Sequence, residues 1–231
     1  MTGTRDFLFI HGPFSNCANI ISQLKRIKAG RDFLGVLSKK YDYVLTFDHP
    51  TLSVSPALNA FDLAARLSRS EPKNLDIVCH SRGGLVARWL CEAFSSPKTT
   101  HRVVFVGAPL AGTSLAAAPR LRHTCDYLSN LASLTSELAS WFPGAITQVV
   151  GFLLKLVKWV MAAASKLPLF DAAIAMIPGL DAQSREGNNE EILRLRANSA
   201  TVNYNDPKRL VYHAITSDFQ PDSVGWKFWR H

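Results

Sequence analysis

Short apolar segments alternate with amphipathic stretches along the chain, and this alternation constrains the fold more than any other feature. Five segments, each rich in apolar residues and bounded by turn-forming residues, predict buried strands at 6–10, 43–47, 75–79, 102–106 and 210–216. Helical spacing between them predicts helices over 20–37, with a break near Gly30, and over 58–67 and 83–94. Such alternation predicts an α/β fold with a mostly parallel sheet and helices on both faces.

The composition is that of one domain with a sizeable core. The chain has 231 residues, of which 47% are hydrophobic and 19% charged, and we expect residues 1–231 to form a single domain. The net charge is +8, but the basic residues are scattered along the chain. Scattered charge favours solubility and attraction to anionic surfaces over nucleic-acid binding. The chain enters its first strand directly after Met1, without a secretory leader, which predicts a cytoplasmic protein.

A long apolar region interrupts the alternation of strands and helices. No convincing strand is found between Ala111 and about Arg185, so we predict a helical insertion over approximately 115–205. Its most apolar part, 146–166, carries Lys155 and Lys158 on a narrow stripe, and lysines in the middle argue against a membrane span. This segment is interpreted as a lid over an apolar cleft or a helix in peripheral contact with a membrane. A buried core helix is the alternative interpretation.

The sharpest motif is the segment Cys79-His80-Ser81-Arg82-Gly83-Gly84, called the elbow below. An apolar strand leads into it and an amphipathic helix leads out, which is the context of a nucleophile on a strained turn. Small residues are needed two positions before and after the serine; glycine is usual at the first, and here it is Cys79. The backbone N–H of Arg82 is then placed to stabilise an oxyanion. The alternative is that Ser81 only caps the following helix.

Two further segments follow predicted strands and complete a family resemblance. They are His11-Gly12-Pro13-Phe14-Ser15 and Gly107-Ala108-Pro109-Leu110-Ala111-Gly112-Thr113-Ser114. With the elbow, they make the first half of the chain resemble bacterial lipases and esterases of the α/β-hydrolase superfamily. The resemblance implies hydrolysis of an apolar or lipid ester through an acyl-enzyme on Ser81, without a metal or an organic cofactor. The acyl group, the alcohol and the oligomeric state stay open.

The catalytic acid should follow the serine in sequence, because the chain order in this fold is serine, acid, histidine. Asp218 follows the last predicted strand and is the first candidate for the acid, with Asp222 as the second. The alternative is that Asp218 is an ordinary turn residue before Pro221. Related lipases continue further, with acid and histidine in the additional part, so loss of both through truncation is another interpretation.

The histidines that follow Ser81 offer one weak candidate for the base. His231 could be delivered by a short strand at the end of the chain. We expect His101 to lie at the surface, at the end of the sheet opposite the elbow. His213 falls within a strand and is interpreted as a core histidine, and His123 lies at the start of the insertion.

The oxyanion site departs from the family pattern at Pro13. The second donor is typically the N–H of the residue after the His-Gly pair, and proline has none. The N–H of Phe14 replaces it if the turn shifts by one residue. Loss of one such donor typically costs about a hundredfold to a thousandfold in rate. A weak or inactive hydrolase-fold module, which binds lipid or a protein partner through the insertion, is therefore a second functional hypothesis, and a fragment of a longer enzyme a third.

Overall fold

The fold is described by a computed structural model for residues 4–13, 15–70, 72–96, 98–113, 177–184, 189–201 and 209–216. In this part of the chain, five strands form one sheet in the order β2-β1-β3-β4-β5, and every neighbouring pair is parallel. Their bounds are β1 Arg5–Ile10, β2 Tyr43–Phe47, β3 Asn74–His80, β4 Thr100–Val106 and β5 Leu210–Ile215. The predicted parallel sheet is confirmed.

Helices connect the strands, as the alternation predicts. They are α1 Cys17–Arg26, α2 Lys28–Lys40, α3 Pro56–Leu67, α4 Gly83–Trp89, α5 Pro178–Asp181 and α6 Glu190–Thr201. A π-helical turn, Leu90–Phe94, continues α4. The predicted helix over 20–37 breaks at Ile27 instead of near Gly30. Gly30 allows α2 to pass close to the end of α1, because a Cβ at this position would lie 2.1 Å from the Leu24 carbonyl oxygen.

Helices cover both faces of the sheet, and β1 shows how its residues divide between them. Leu8 and Ile10 belong to a core that includes residues of α3, α4 and α6. Phe7 and Phe9 point to the opposite face, into a second core with α1 and α2. Successive side chains of a strand alternate between its faces, so one short apolar strand supplies both cores.

The strand order reverses between β1 and β3. The chain leaves β1 for β2 on one side, then crosses back to β3 on the other side of β1. Connections that leave two adjacent parallel strands in opposite directions open a crevice at the carboxyl ends of those strands. The elbow follows β3 and the His11-Gly12 turn follows β1, so both lie at this crevice.

The last part of the predicted insertion contributes to the core. Ile192 and Leu195 of α6 are 4% and 0% exposed and belong to the same core as α3 and α4. Residues 114–176, including the apolar segment 146–166, lie outside the described residues. The lid and the bounds 115–205 therefore stay predictions. Among the described helices, none has the length and apolar character needed to cross a membrane.

Candidate active site

Ser81 lies in the turn that joins β3 to α4, as the elbow motif predicts. Its φ is 52°, in the left-handed region, and no other residue except glycine has a positive φ in the described ranges. The Ser81 N–H donates to the Val106 carbonyl at 2.9 Å, and the Ser81 carbonyl accepts from the Gly84 N–H at 2.9 Å. Ser81 is half-buried. Strained backbone of this kind persists only where the surroundings hold it, and it is concentrated at active sites.

Gly12 allows the turn after β1 to pass directly against Ser81. A Cβ at Gly12 would lie 2.9 Å from the Ser81 Cβ and 2.9 Å from Nδ1 of His80. Real Cβ atoms do not approach so closely, so a larger residue would displace the serine or the turn. The turn after β1 and the elbow therefore form one tightly packed unit.

Two glycines at the start of α4 bring the helix equally close to its neighbours. A Cβ at Gly83 would lie 2.7 Å from the His11 carbonyl oxygen, and one at Gly84 would lie 2.4 Å from the Ala108 Cβ. Helix α4 therefore begins in contact with the segments that follow both β1 and β4. The three segments that carry the sequence resemblance meet at the same edge of the sheet.

Arg82 contributes a backbone donor and a deeply buried charge. Its N–H precedes the first turn of α4, where amides have no intrahelical acceptor and the helix dipole favours negative charge. Its side chain is 0% exposed, and Nη2 donates to the Val54 carbonyl at 2.5 Å. Nε and Nη1 have no hydrogen-bond partner within the described structure. Burial lowers the pKa of the guanidinium to about 10, an effect that the Glu191 carboxylate opposes.

His11 directly follows β1, and both nitrogens of its ring make hydrogen bonds. The His49 N–H donates to Nε2 of His11 at 3.2 Å, so Nε2 is an acceptor. Nδ1 therefore carries the proton and donates it to the Gly12 carbonyl at 2.7 Å. His11 is 2% exposed, which excludes direct contact with bulk solvent. Its role in this structure is to orient the turn that packs on Ser81.

His49 is a buried site residue that the sequence analysis did not single out. Its ring stacks on His11 at 4.2 Å between centroids and on Phe47 at 5.2 Å. Burial, followed by the charges of His11 and Arg82, lowers the pKa of His49 to about 3. The imidazole is therefore neutral near pH 7. His49 lies shortly after β2, at the same edge of the sheet as the elbow, and this position is the sequence feature that could have identified it.

Two expectations about histidines were wrong. His101 is only 4% exposed, because it lies at the start of a central strand with its Nε2 2.5 Å from the Ser95 hydroxyl. Burial, followed by the charge of Arg209, lowers the pKa of His101 to about 4. His213 is exposed instead of belonging to the core. It lies in β5, which is at the edge of the described sheet and pairs with a single strand, β4.

The remaining candidates for the site lie outside the described residues. These are the second oxyanion donor Phe14, the acids Asp218 and Asp222, and the histidines His123 and His231. Their roles therefore stay predictions. Within the described ranges, no three His, Cys, Asp or Glu side chains form a group that could hold a metal ion.

A second buried arginine lies near the end of α4. The Arg88 side chain donates to both carboxylate oxygens of Glu92, from Nε at 2.8 Å and from Nη2 at 3.1 Å. It also donates to the carbonyls of Leu110 and Leu195, each at 3.0 Å. The Tyr212 hydroxyl donates to Glu92 at 3.0 Å. This network joins α4 to α6, to β5 and to the segment after β4.

A family model and solved structures are similar to this chain. The family described as a domain of unknown function, DUF7379, matches residues 1–230. Phospholipase PlaB from Legionella pneumophila is 12% identical, with a TM-score of 0.52, over 91% of this chain and 38% of that one. Lipase BlEst2 from Bacillus licheniformis is 15% identical, with a TM-score of 0.47, over 93% of this chain and 66% of that one. None of the curated proteins has a matching sequence.

At these identities the similarity shows the fold alone. The likeness to the phospholipase agrees with the parallel sheet and the turn at Ser81, and together they show an α/β-hydrolase fold. The chain spans less than two thirds of the length of both the phospholipase and the lipase. What these two enzymes do as whole proteins is therefore not carried over as a finding.

Proposed function

The chain belongs to the DUF7379 family and has an α/β-hydrolase fold, and from this premise we propose that it is a serine hydrolase. In this proposal it cleaves a carboxylic ester of an apolar substrate through an acyl-enzyme on Ser81. The observation that carries the proposal is the left-handed backbone of Ser81, with φ of 52°, at the crevice where the strand order reverses. A serine that only capped a helix would need no such strain.

The proposed reaction follows from the position of Ser81 before a helix. Its Oγ attacks the ester carbonyl carbon, and a base takes the hydroxyl proton as the tetrahedral oxyanion forms. The Arg82 N–H donates to that oxyanion. The alcohol then leaves with the proton, and water hydrolyses the acyl-enzyme by the same route. We assign the base to His231 and the acid that orients it to Asp218, both as proposals.

Two observations support an apolar or lipid ester as the substrate class. The phospholipase PlaB has a fold similar to that of this chain. The sequence from 146 to 166 is strongly apolar, with a narrow basic stripe, which suits a lid that meets lipid or a helix at a membrane surface. We therefore propose that the substrate has an apolar acyl chain, without assigning its length or its alcohol.

The test uses a fluorophosphonate probe, which reacts covalently with an activated serine. We expect the wild-type chain to be labelled at Ser81 and Ser81→Ala to lose all labelling and all hydrolysis of p-nitrophenyl butyrate. Ser38→Ala is the matched control, because Ser38 is exposed on α2, away from the elbow. Labelling that survives Ser81→Ala, or a wild-type chain that is never labelled, would contradict the proposal.

One observation favours a second candidate function. Pro13 follows the His11-Gly12 pair and has no N–H to donate to an oxyanion. A catalytically weak module that binds lipid or a protein partner is the alternative that fits this residue. Binding to phosphatidylcholine vesicles that persists in Ser81→Ala, from a protein without serine labelling, would support this alternative over the hydrolase.

A further inference from the structure

Burial of the Arg82 guanidinium in the elbow is energetically unfavourable. Moving a charge out of water is unfavourable unless the charge is paired and its donors are satisfied. Arg82 is 0% exposed, and its Nη2 donates a hydrogen bond to the Val54 carbonyl. Nε and Nη1 lack hydrogen-bond partners in the described part of the chain. An apolar side chain of similar size would fill the same space without this cost.

Glu191 is the negative charge that acts on Arg82. It lies in the first turn of α6, and its carboxylate accepts a hydrogen bond from the Ala57 N–H at 3.3 Å. Glu191 therefore binds the amino end of α3. Each of the two charges changes the pKa of the other in the direction that favours the charged form.

His49 is the other titratable group that interacts with Arg82. Its pKa is lowered to about 3, first by burial and then by His11 and Arg82, so it carries no charge near pH 7. Arg82 therefore faces one carboxylate and one neutral imidazole. Among the described residues, the attraction to Glu191 is the electrostatic interaction that offsets the burial of the guanidinium.

We infer that the Arg82 side chain is a positioning device for the oxyanion donor next to Ser81. This inference rests on the proposed function. The guanidinium and the donor N–H belong to the same residue, so anchoring the buried side chain on the Val54 carbonyl restricts rotation of the peptide between Ser81 and Arg82. An oxyanion donor acts only within about 2.7–3.1 Å of the developing charge, so its orientation controls the rate.

The experiment compares Arg82→Met, Arg82→Lys and Glu191→Gln in the full chain, with p-nitrophenyl butyrate as the substrate. We expect Arg82→Met to lower kcat by about tenfold to a hundredfold with KM changed less than about twofold, because donor alignment affects the transition state more than substrate binding. Arg82→Lys keeps the charge and should recover part of kcat. Glu191→Gln should lower kcat in the same direction by a smaller factor.

Two further variants separate positioning from stability. Arg88→Met, the matched control, removes the other buried arginine of α4; it should lower the urea midpoint and leave kcat of the folded protein unchanged. The double variant Arg82→Met/Glu191→Gln removes both charges and should have a urea midpoint close to that of Arg82→Met, because Glu191 is only half-buried. Its kcat should nevertheless stay low, since the anchor is missing.

The outcomes distinguish this inference from the function on which it rests. If the wild type is labelled at Ser81, and Arg82→Met and the double variant both have the kcat of the wild type, the inference alone is overturned. A urea midpoint that falls in Arg82→Met as in Arg88→Met, with no change in kcat, would also overturn it. A wild type that shows no labelling at Ser81 would overturn the proposed function, and the inference with it.

Discussion

Two buried arginines, one just before α4 and one near its carboxyl end, differ in how many of their nitrogens are hydrogen-bonded. At the amino end, Arg82 is 0% exposed and leaves Nε and Nη1 unpartnered among the described residues. Toward the carboxyl end, Arg88 is 7% exposed and donates to both oxygens of Glu92 and to two carbonyls. The same residue type is thus under-satisfied at the candidate site and well satisfied away from it.

The amino end of α4 lies beside strained backbone, whereas its carboxyl end makes the hydrogen bonds that join α4 to other elements. Ser81, with its left-handed backbone, and the close contact at Gly12 lie at the amino end. The hydrogen bonds of Arg88 and Glu92 join α4 to α6 and β5 at the other end. Strain persists where surrounding structure over-determines it, and at the elbow that structure is the close packing around Gly12 and Gly83.

The largest expected effect on stability is that of breaking the buried pair. Glu92→Leu removes the carboxylate that accepts hydrogen bonds from Nε and Nη2 of Arg88, and breaking a buried pair of this kind typically costs about 3–5 kcal/mol. Urea denaturation measures the free energy of unfolding. The matched control is Asp32→Ala, because Asp32 forms an exposed pair with Lys28 one turn apart, worth about 0.5 kcal/mol or less. Similar losses in the two variants would show that the Arg88–Glu92 pair does not stabilise the fold.

Acid should destabilise both ends of the sheet, through His49 at the elbow and His101 at the opposite end. Their pKa values in the folded state are lowered to about 3 and about 4, mainly by burial. Below an unfolded pKa of about 6.5, the unfolded chain binds protons that the folded chain does not. The free energy of unfolding should therefore fall by about 1.4 kcal/mol per pH unit for each histidine as the pH decreases from about 6.5 toward 4.

Urea denaturation at several pH values tests this expectation, and two variants distinguish the contribution of His49 from that of His101. His49→Gln and His101→Gln should each make the acid dependence shallower. His213→Gln is the control, because His213 is exposed on β5. An acid dependence that neither of the two buried histidines changes would contradict the expectation. If only His101→Gln made the acid dependence shallower, protonation of His49 would not reduce the free energy of unfolding.

A methyl group at Gly12 should affect activity more than stability. In Gly12→Ala the new Cβ meets Ser81 and His80 at 2.9 Å, and forcing a methyl group into packed structure typically costs about 1–3 kcal/mol. Because the contact is with the proposed nucleophile, we expect the rate of fluorophosphonate labelling of folded protein to fall at least tenfold, as small misplacements of a reacting group are costly. An unchanged labelling rate would contradict the packing argument for this glycine.

The smallest expected effect has the opposite sign. A Cβ at Gly35, in α2, meets nothing within 4 Å. Alanine is favoured over glycine in a helix interior by about 0.5–1 kcal/mol, so Gly35→Ala should raise the free energy of unfolding by that amount. It should leave labelling at Ser81 unchanged, which makes it the control for Gly12→Ala. A loss of stability would show that α2 depends on the glycine.

Local patterns predicted most of the described secondary structure. The five strands and the helices after β2 and β3 were expected within a few residues, because strand and helix periodicity and the turn residues at their ends act between close neighbours. The turn at Ser81 was expected for the same reason, from an apolar strand, a glycine pair and a helix in succession.

Expectations about individual polar side chains were less accurate. His101 and His213 exchanged their predicted surroundings, and neither the ring of His49 nor the buried side chain of Arg82 was anticipated. A polar residue within a strand has the same local pattern whether its strand is central or at an edge. Its environment depends on the order of strands in the sheet, which the alternation of helices and strands did not specify.

By itself, the sequence determined that this chain forms a parallel α/β sheet with a serine presented between the third strand and its helix. Hydrophobic periodicity and the backbone freedom of glycine act over a few residues, so they can be read directly from the chain. Only the tertiary structure decided which groups surround that serine. Gly12, which packs on Ser81, and His49, which stacks on His11, come from distant segments, and the sheet order brings them to the same edge as the elbow.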